Sequence, residues 1–265
     1  MKEVVSKDGT RIAYDKIGSG PALILVDGAL CYRASGPNGP LAALLSPHFT
    51  VITYDRRGRG DSSDKKPYAI EREIEDIEAL IGEAGGSAFV YGISSGAALA
   101  LEAAARIPAI RKLALFEAPF IVDSSRSPLP NDYLQKMNEW LALGRRGAAV
   151  KYFMSKGVGV PALFVAMMPF MPAWSKLKAV AHTLPYDTLL TMDYQKGTPL
   201  FPNRWSSISV PVLVTDGGKS PVWMRKAMRA LAEFLPHSQY RTLEGQTHIV
   251  KPAALAPVLT EFFKF

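Results

Sequence analysis

Short apolar runs, each about as long as one β-strand, recur in the first half of the chain and again near its end. Continuous apolar character of this length is typical of strands buried on both faces of a sheet. The pattern predicts strands at residues 4–6, 11–16, 22–26, 49–54, 87–91, 112–116, 211–215 and 239–243. The first two flank Asp8-Gly9, a dipeptide that favours a hairpin turn.

Helical periodicity alternates with these strands. In residues 71–81, Ile74, Ile77 and Ile81 fall on one stripe with acidic residues between them, which predicts an amphipathic helix. The pattern predicts further helices at residues 95–106, 222–235 and 253–263. Strands that alternate with helices favour an α/β fold with a mostly parallel sheet covered on both faces.

The alternation breaks between residues 119 and 205, where the chain is rich in Pro, Met, Phe and Trp and has helix-like pieces such as residues 132–143. Because regular alternation returns afterwards, we interpret this stretch as an insertion between two strands of one sheet. The expected organisation is a core domain of residues 1–118 and 206–265 with an inserted segment of residues 119–205.

Composition is ordinary for a globular protein, with 48% apolar and 21% charged residues. The formal charge is +7, but the basic residues are scattered in short groups such as Arg56-Arg57-Arg59 and Lys65-Lys66. No nucleic-acid motif accompanies them, so we expect no nucleic-acid partner. A basic solvated surface explains the charge, and a preference for anionic substrates is the alternative.

Other classes of partner and cofactor receive no support. The N-terminus has no apolar signal core and the apolar runs are too short to span a bilayer, which favours a cytoplasmic protein without a membrane partner. Cys31 is the only cysteine, and it and the four histidines show no zinc-ligand spacing. With no dinucleotide fingerprint or phosphate loop, we expect neither a metal nor another cofactor.

The segment from Gly92 to Gly96 (GISSG) matches G-x-S-x-G, directly after a predicted buried strand and at the start of a predicted helix. A sharp strand-to-helix turn exposes the hydroxyl of the central Ser94, and glycines on both sides leave room for it. Ser95 follows as a backbone N–H donor for an oxyanion. The structural alternative is a helix N-cap serine in an ordinary glycine turn.

Three segments together resemble the α/β-hydrolase superfamily. The stretch from Tyr54 to Ser62 (YDRRGRGDS) is similar to the Y-D-x-R-G-x-G-x-S stretch of that family, residues 90–96 to its nucleophile elbow, and residues 245–248 (GQTH) to its G-x-x-H segment. The resemblance implies an eight-stranded sheet and a helical lid inserted after the sixth strand. It also implies that Ser94 is a nucleophile and His248 its base.

Two positions depart from the family pattern. Asp27-Gly28 stands where relatives have His-Gly, although Ala29 still offers the second oxyanion N–H beside that of Ser95. The charge of Asp27 is expensive near an oxyanion unless it is paired. After the seventh predicted strand, Ser220 stands where many relatives carry the acid of the catalytic triad.

Candidate bases and acids are therefore weighed by position. His248 alone among the histidines follows a strand at the edge where Ser94 lies, whereas His48 and His237 precede strands and His182 lies in the insertion. For the acid that orients the base, Glu117 at the end of the strand after the nucleophile strand is preferred.

Three other carboxylates remain open as the triad acid. Asp216 is the first alternative to Glu117, and Asp123 and Asp187 are the others.

The sequence thus predicts a serine hydrolase that forms an acyl-enzyme on Ser94, most simply a carboxylesterase acting on a small molecule with an apolar part. Lactonase, thioesterase, carbon–carbon hydrolase and cofactor-free perhydrolase chemistry remain open. A ligand-binding receptor on a hydrolase scaffold is the alternative of a different class. Met and aromatic side chains of the insertion suit an adaptable apolar pocket. The expected substrate contacts are Phe164, Met168, Met171 and Trp174.

Overall fold

The computed structural model describes residues 1–201 and 204–264; residues 202, 203 and 265, which belong to the expected insertion and core, lie outside it. Its strands are β1 (Lys2–Val5), β2 (Arg11–Ile17), β3 (Ala22–Val26), β4 (Thr50–Tyr54), β5 (Ala88–Ile93), β6 (Ile110–Phe116), β7 (Val212–Gly217) and β8 (Ser238–Leu243). They form one sheet in the order β1-β2-β4-β3-β5-β6-β7-β8. Only β2 runs against its neighbours, and the other paired strands are parallel.

The α-helices of the described chain are α1 (Asn38–Leu45), α2 (Ile70–Glu83), α3 (Ser95–Ala104), α4 (Tyr133–Ala142), α5 (Arg146–Tyr152), α6 (Ala162–Met167), α7 (Trp174–Ala179), α8 (Leu184–Thr191), α9 (Val222–Phe234) and α10 (Pro252–Lys264). The mostly parallel sheet with flanking helices is confirmed, and every predicted strand and helix lies within two residues of its expected ends. Helix α1 was not predicted.

Apolar side chains cover the sheet on both faces. One cluster joins the sheet to α2, α3 and α9 through residues such as Ile77, Leu99 and Met228. The other cluster joins it to α1 and α10 through residues such as Leu41 and Leu259. Each such side chain contributes roughly 1.5–3 kcal/mol when fully buried, so the two layers hold the strand ends in fixed register.

Helices α4–α8 lie between β6 and β7, together with a π-helical turn at Phe153–Val158. They share a third apolar cluster in which Tyr133, Met137 and Leu184 pack against Leu30 from the loop after β3. This cluster attaches the segment to the edge of the sheet where the parallel strands have their carboxyl ends. No helix in the described ranges has both the length and the apolar character of a membrane span.

Candidate active site

The turn between β5 and α3 holds Ser94 in an unusual backbone conformation, with φ 57° and ψ −128°. A non-glycine residue in such a region costs on the order of 1–3 kcal/mol. The glycines on each side are required by close packing: a Cβ on Gly92 would lie 2.3 Å from the Gly96 carbonyl oxygen, and one on Gly96 would lie 2.4 Å from the Val26 carbonyl oxygen. Close packing around this turn therefore holds Ser94 in its strained backbone conformation.

His248 follows β8 and meets Glu117, which follows β6. The Nδ1 atom of His248 lies 2.7 Å from Oε2 of Glu117, whose side chain is completely buried. The second carboxylate oxygen of Glu117, Oε1, accepts a 2.7 Å hydrogen bond from the backbone N–H of Gly217 at the end of β7. Two contacts thus fix the carboxylate, and the carboxylate fixes the imidazole ring.

Asp216, the first alternative acid, lies next to Gly217 but is engaged elsewhere. Its Oδ2 accepts a 2.5 Å hydrogen bond from the Tyr240 hydroxyl, and burial raises its pKa. Within the described residues, His248 Nδ1 contacts Glu117 and not Asp216. Asp123 pairs instead with Lys226 at 2.6 Å.

Ser94, His248 and both expected oxyanion residues, Ala29 and Ser95, line one narrow cavity of about 50 Å³. The remaining wall is part apolar and part polar. Its apolar side comprises Pro119, Leu129, Tyr133, Phe153, Val158, Trp223 and Met224. Its polar side comprises Asp187, Thr188, Thr191 and Gln195. Most of both sides comes from the segment between β6 and β7, so that segment shapes the space beside Ser94.

The four residues expected to contact substrate lie away from this cavity. Phe164 and Met171 are 64% and 50% exposed. Met168 is buried in the third apolar cluster, and Trp174 packs against that cluster. Residue type alone selected them. Tyr133 and Phe153, which do line the cavity, were not among the selected contacts. Phe153 was covered only by the general aromatic character of the insertion, and the signal for Tyr133 was its spacing with Met137 on the buried stripe of α4.

Two buried arginines from the loop after β4 connect the site to α8. Arg59 donates from Nη1 to the Gly28 carbonyl oxygen at 2.7 Å and from Nη2 to Asp187 Oδ2 at 2.7 Å. Arg56 donates from Nη1 to Asp187 Oδ1 at 2.8 Å and pairs on its other side with Glu73. Burial favours a neutral Asp187, but Arg59 and Arg56 outweigh it and hold the Asp187 pKa below its usual range.

Asp187 also reaches the nucleophile turn. Its Oδ1 accepts a 2.7 Å hydrogen bond from the hydroxyl of Ser95. The Asp187 carboxylate therefore holds both arginines and also the side chain of Ser95, the residue next to Ser94. Sequence reasoning named Asp187 only as a minor candidate for the triad acid, and the structure places it in this arginine cluster instead.

Asp27, the departure from the family pattern, is buried beside the same arginines. Burial raises its pKa to about 7, although Arg59 and Arg56 oppose the shift. Its Oδ1 has no hydrogen-bond partner within the described chain. The carboxyl group is thus partly protonated near neutral pH, which reduces the unfavourable charge expected next to the oxyanion loop. No cluster of metal-ligating side chains occurs among the described residues.

The geometry and the comparisons with known proteins define the class of the protein. Residues 19–258 match the model of the alpha/beta hydrolase family. The chain belongs to this family, and it is a hydrolase.

Among proteins of assigned activity, the chain is similar to a pimeloyl-[acyl-carrier protein] methyl ester esterase of Xanthomonas axonopodis pv. citri (strain 306). The two are 34% identical over 260 residues, which cover 88% of this chain and 90% of the relative. Among solved structures, it is similar to an alpha/beta hydrolase from Sphaerobacter thermophilus DSM 20745, with TM-score 0.92, 55% identity and coverage of 99% and 100% of the two chains. An enol-lactonase from Burkholderia xenovorans LB400 shares the fold at TM-score 0.71 and 22% identity, with both chains covered in full.

Proposed function

We propose that this hydrolase cleaves carboxylic esters through an acyl-enzyme on Ser94, with His248 as general base, Glu117 orienting His248, and the N–H groups of Ala29 and Ser95 binding the oxyanion. The observation that carries the proposal is that a serine on a strained strand-to-helix turn and a carboxylate-bound histidine line the same cavity. The esterase activity of the Xanthomonas relative supports ester chemistry.

In the first half-reaction, Ser94 Oγ attacks the ester carbonyl carbon while His248 Nε2 takes the hydroxyl proton. Nε2 is the nitrogen available for this transfer because Nδ1 faces Glu117 at 2.7 Å. The tetrahedral intermediate then collapses, the carbon–oxygen bond to the alcohol breaks, and His248 returns its proton to that oxygen. The alcohol leaves and the acyl group remains on Ser94.

The oxyanion of that intermediate is stabilised by two backbone donors. The Gly28–Ala29 peptide bond is trans, so its C=O and N–H point in opposite directions. Because the Gly28 carbonyl faces Arg59, the N–H of Ala29 is directed away from that guanidinium. The N–H of Ser95 lies in the first turn of α3, where amide groups have no partner within the helix.

In the second half-reaction, His248 removes a proton from water, and the resulting hydroxide attacks the acyl carbonyl carbon. The same two N–H groups bind the second oxyanion. The bond to Ser94 Oγ breaks, His248 returns the proton to that oxygen, and a carboxylic acid leaves. No metal or cofactor enters this sequence.

Residues 119–205 act in this proposal as a lid. They supply most of the cavity wall beside Ser94. Tyr133, Phe153 and Val158 take over the role of substrate contacts from the four residues that we expected from the sequence. One water needs about 10–15 Å³, so a cavity of about 50 Å³ holds only a few waters. Binding of an ester therefore requires movement of the lid side chains.

The test is turnover of a panel of p-nitrophenyl esters by the wild-type protein, Ser94→Ala and Ser95→Ala. The second variant is a matched control, because it removes the neighbouring hydroxyl but keeps the backbone N–H. We expect Ser94→Ala to lose activity to the background rate and Ser95→Ala to retain turnover. Ligand binding by a wild-type protein that shows no turnover would favour the receptor alternative.

A further inference from the structure

Tyr133 and Arg126 each present a buried donor that the described chain leaves without a partner. The Tyr133 hydroxyl, on the apolar side of the cavity, makes no hydrogen bond, and neither does Nη1 of Arg126. Buried polar groups in native proteins are nearly always hydrogen-bonded, and each exception calls for an explanation. Two unsatisfied donors at the edge of a substrate cavity indicate an acceptor that arrives with the substrate.

Contacts of Arg126 place its guanidinium directly against the cavity wall. Its Nη2 donates to the carbonyl oxygens of Gly157 at 2.6 Å and Lys156 at 3.0 Å. Its guanidinium carbon lies 4.2 Å from the centroid of the Trp223 ring. Gly157 and Trp223 both line the cavity beside Ser94. Arg126 is therefore one residue removed from the space that the substrate occupies.

Arg126 is only partly buried, and it differs from the buried arginines in its charge balance. Arg56 and Arg59 share the carboxylate of Asp187, and Arg57 pairs with Asp76. Arg126 has no carboxylate partner within residues 1–201 and 204–264, and burial lowers its pKa. Because Nη1 of this partly buried cation is shielded from solvent and has no partner, and desolvation of a cation is costly unless an anion accompanies it, this position favours binding of a negatively charged group.

Gly157 brings the two donors together. Its carbonyl accepts from Arg126, and a Cβ at this position would lie 2.6 Å from the Tyr133 hydroxyl oxygen. Any side chain larger than hydrogen would cover that hydroxyl. Gly157 belongs to the π-helical turn Phe153–Val158, and such turns are frequent at functional sites.

We propose that Arg126 and Tyr133 form a subsite for a carboxylate carried by the substrate, so that the favoured substrates are esters bearing a second, ionised carboxyl group. This inference rests on the proposed esterase function and specifies its substrate class. The guanidinium and the phenol donate charge-assisted hydrogen bonds to the carboxylate, which are the stronger class of hydrogen bond. The π-helical turn shifts as the substrate enters, because both donor atoms are shielded from solvent.

The kinetic test compares the monomethyl and dimethyl esters of succinate, glutarate and adipate. We expect the wild-type protein to prefer at least one monoester over its neutral diester by roughly 10–100-fold in kcat/KM, the range of one hydrogen bond to a charged group. In Arg126→Met the ratio of the two kcat/KM values falls toward one, because kcat/KM falls far more for the anionic monoester than for the neutral diester. Tyr133→Phe lowers it partially. The exposed Arg146, in the same segment, gives the control: Arg146→Met removes an equal charge and retains the preference.

A binding measurement keeps the test independent of catalysis. Calorimetric titration of the free dicarboxylates into Ser94→Ala should show binding that is lost when Arg126→Met is added. If the protein binds the dicarboxylates through Arg126 but the wild type turns over none of the esters, the esterase function is wrong and the carboxylate subsite stands. A wild-type protein that prefers the neutral diesters, or an Arg126→Met variant with an unchanged monoester preference, would overturn the subsite while leaving the esterase intact.

Discussion

Arg59 Nη1 donates a 2.7 Å hydrogen bond to the carbonyl oxygen of Gly28. This contact fixes the orientation of the peptide whose N–H, on Ala29, is the proposed oxyanion donor. Arg59 is held in turn by Asp187 from α8 at 2.7 Å. The segment inserted between β6 and β7 is thereby connected through two side chains to the loop that carries Ala29, so the proposed mechanism predicts that its packing on the core influences catalysis.

Arg59→Lys tests this connection. A lysine keeps the charge but cannot bind Gly28 and Asp187 together in the geometry of a guanidinium. If the Ala29 N–H loses its fixed direction, kcat should fall by roughly 10²–10³-fold, the range for loss of one oxyanion donor, while KM changes little. Steady-state kinetics on a p-nitrophenyl ester and the Ki of a boronic acid analogue give the readout.

Arg57→Lys is the matched control for Arg59→Lys. Arg57 is equally buried and makes two ion pairs, with Asp76 and Asp8, but does not contact the oxyanion loop. Both variants should lower the melting temperature, and only Arg59→Lys should show the large loss of kcat and of analogue affinity. Equal kcat losses in the two variants would show that Arg59 serves stability alone.

Glu117→Gln addresses the acid of the proposed triad. A neutral amide next to His248 Nδ1 favours the wrong imidazole tautomer, and the comparable change in a serine protease costs about 10⁴-fold in kcat. Asp216→Asn should cost far less, since Asp216 binds Tyr240. Rate measurements on both variants decide the assignment: a severe loss in Asp216→Asn with a nearly intact Glu117→Gln would reverse it.

Asp27→Asn should stabilise the protein in a pH-dependent way. Burial raises the Asp27 pKa from its ordinary 3.8 to about 7, so the folded state retains a proton that the unfolded chain releases. Ionisation of Asp27 therefore lowers the free energy of unfolding increasingly between about pH 4 and about pH 7, and by a constant amount above about pH 7. The shift of about 3 units corresponds to roughly 4 kcal/mol as an upper bound. Urea unfolding across this pH range should show the advantage of Asp27→Asn rising with pH.

Asp123→Asn provides a control of opposite sign. The hydrogen bond from Lys226 and those from Ser125 lower the Asp123 pKa to about 2. Its ionised form therefore favours folding, and this contribution is lost as the pH falls from about 4 toward 2. Asp123→Asn should lower stability slightly near neutral pH and have no effect at the acidic end. A flat difference between Asp27→Asn and wild type at every pH would contradict the raised pKa of Asp27.

Gly96→Ala should disrupt the nucleophile turn. The added Cβ would lie 2.4 Å from the Val26 carbonyl oxygen, at the end of β3, and 2.6 Å from that of Asp27, the next residue. Overpacking of this kind costs roughly 1–3 kcal/mol or more. Gly82→Ala is the control, because a Cβ there meets nothing within 4 Å. It should stabilise α2 by about 0.5–1 kcal/mol. Thermal unfolding of both variants measures the contrast.

The strands and the longer helices were predictable because their signals are local. The apolar run at β3 (Ala22–Val26) and the Ile74–Ile77–Ile81 stripe of α2 each contain the information that places them. Helix α1 was missed because its sequence, NGPLAALL, begins with residues that favour turns. Between β6 and β7 only α4 was predicted, because the other helices, α5 to α8, have six to eight residues each, too few for periodicity to define them.

The residues of the candidate site were likewise predictable only where their signals are local in the sequence. Ser94 was selected from the G-x-S-x-G motif, and His248 and Glu117 from their positions after strands; the structure brings all three to one edge of the sheet. The contact of Asp187 with Arg59 joins residues 128 positions apart, and no local pattern contains it. The substrate contacts were chosen by residue type, and exposure of Phe164 shows why this is insufficient: the direction of a side chain depends on tertiary packing.

The central claim, that Ser94 is the nucleophile, is tested most directly by covalent labelling with a fluorophosphonate followed by peptide mass mapping. The account predicts a single phosphonyl adduct on Ser94, absent in Ser94→Ala and formed much more slowly in Glu117→Gln. Because Ser95 is adjacent, fragmentation must assign the adduct to one of the two serines. No labelling of the wild-type protein under conditions that label a control esterase, or an adduct on Ser95 that persists in Ser94→Ala, would contradict the claim.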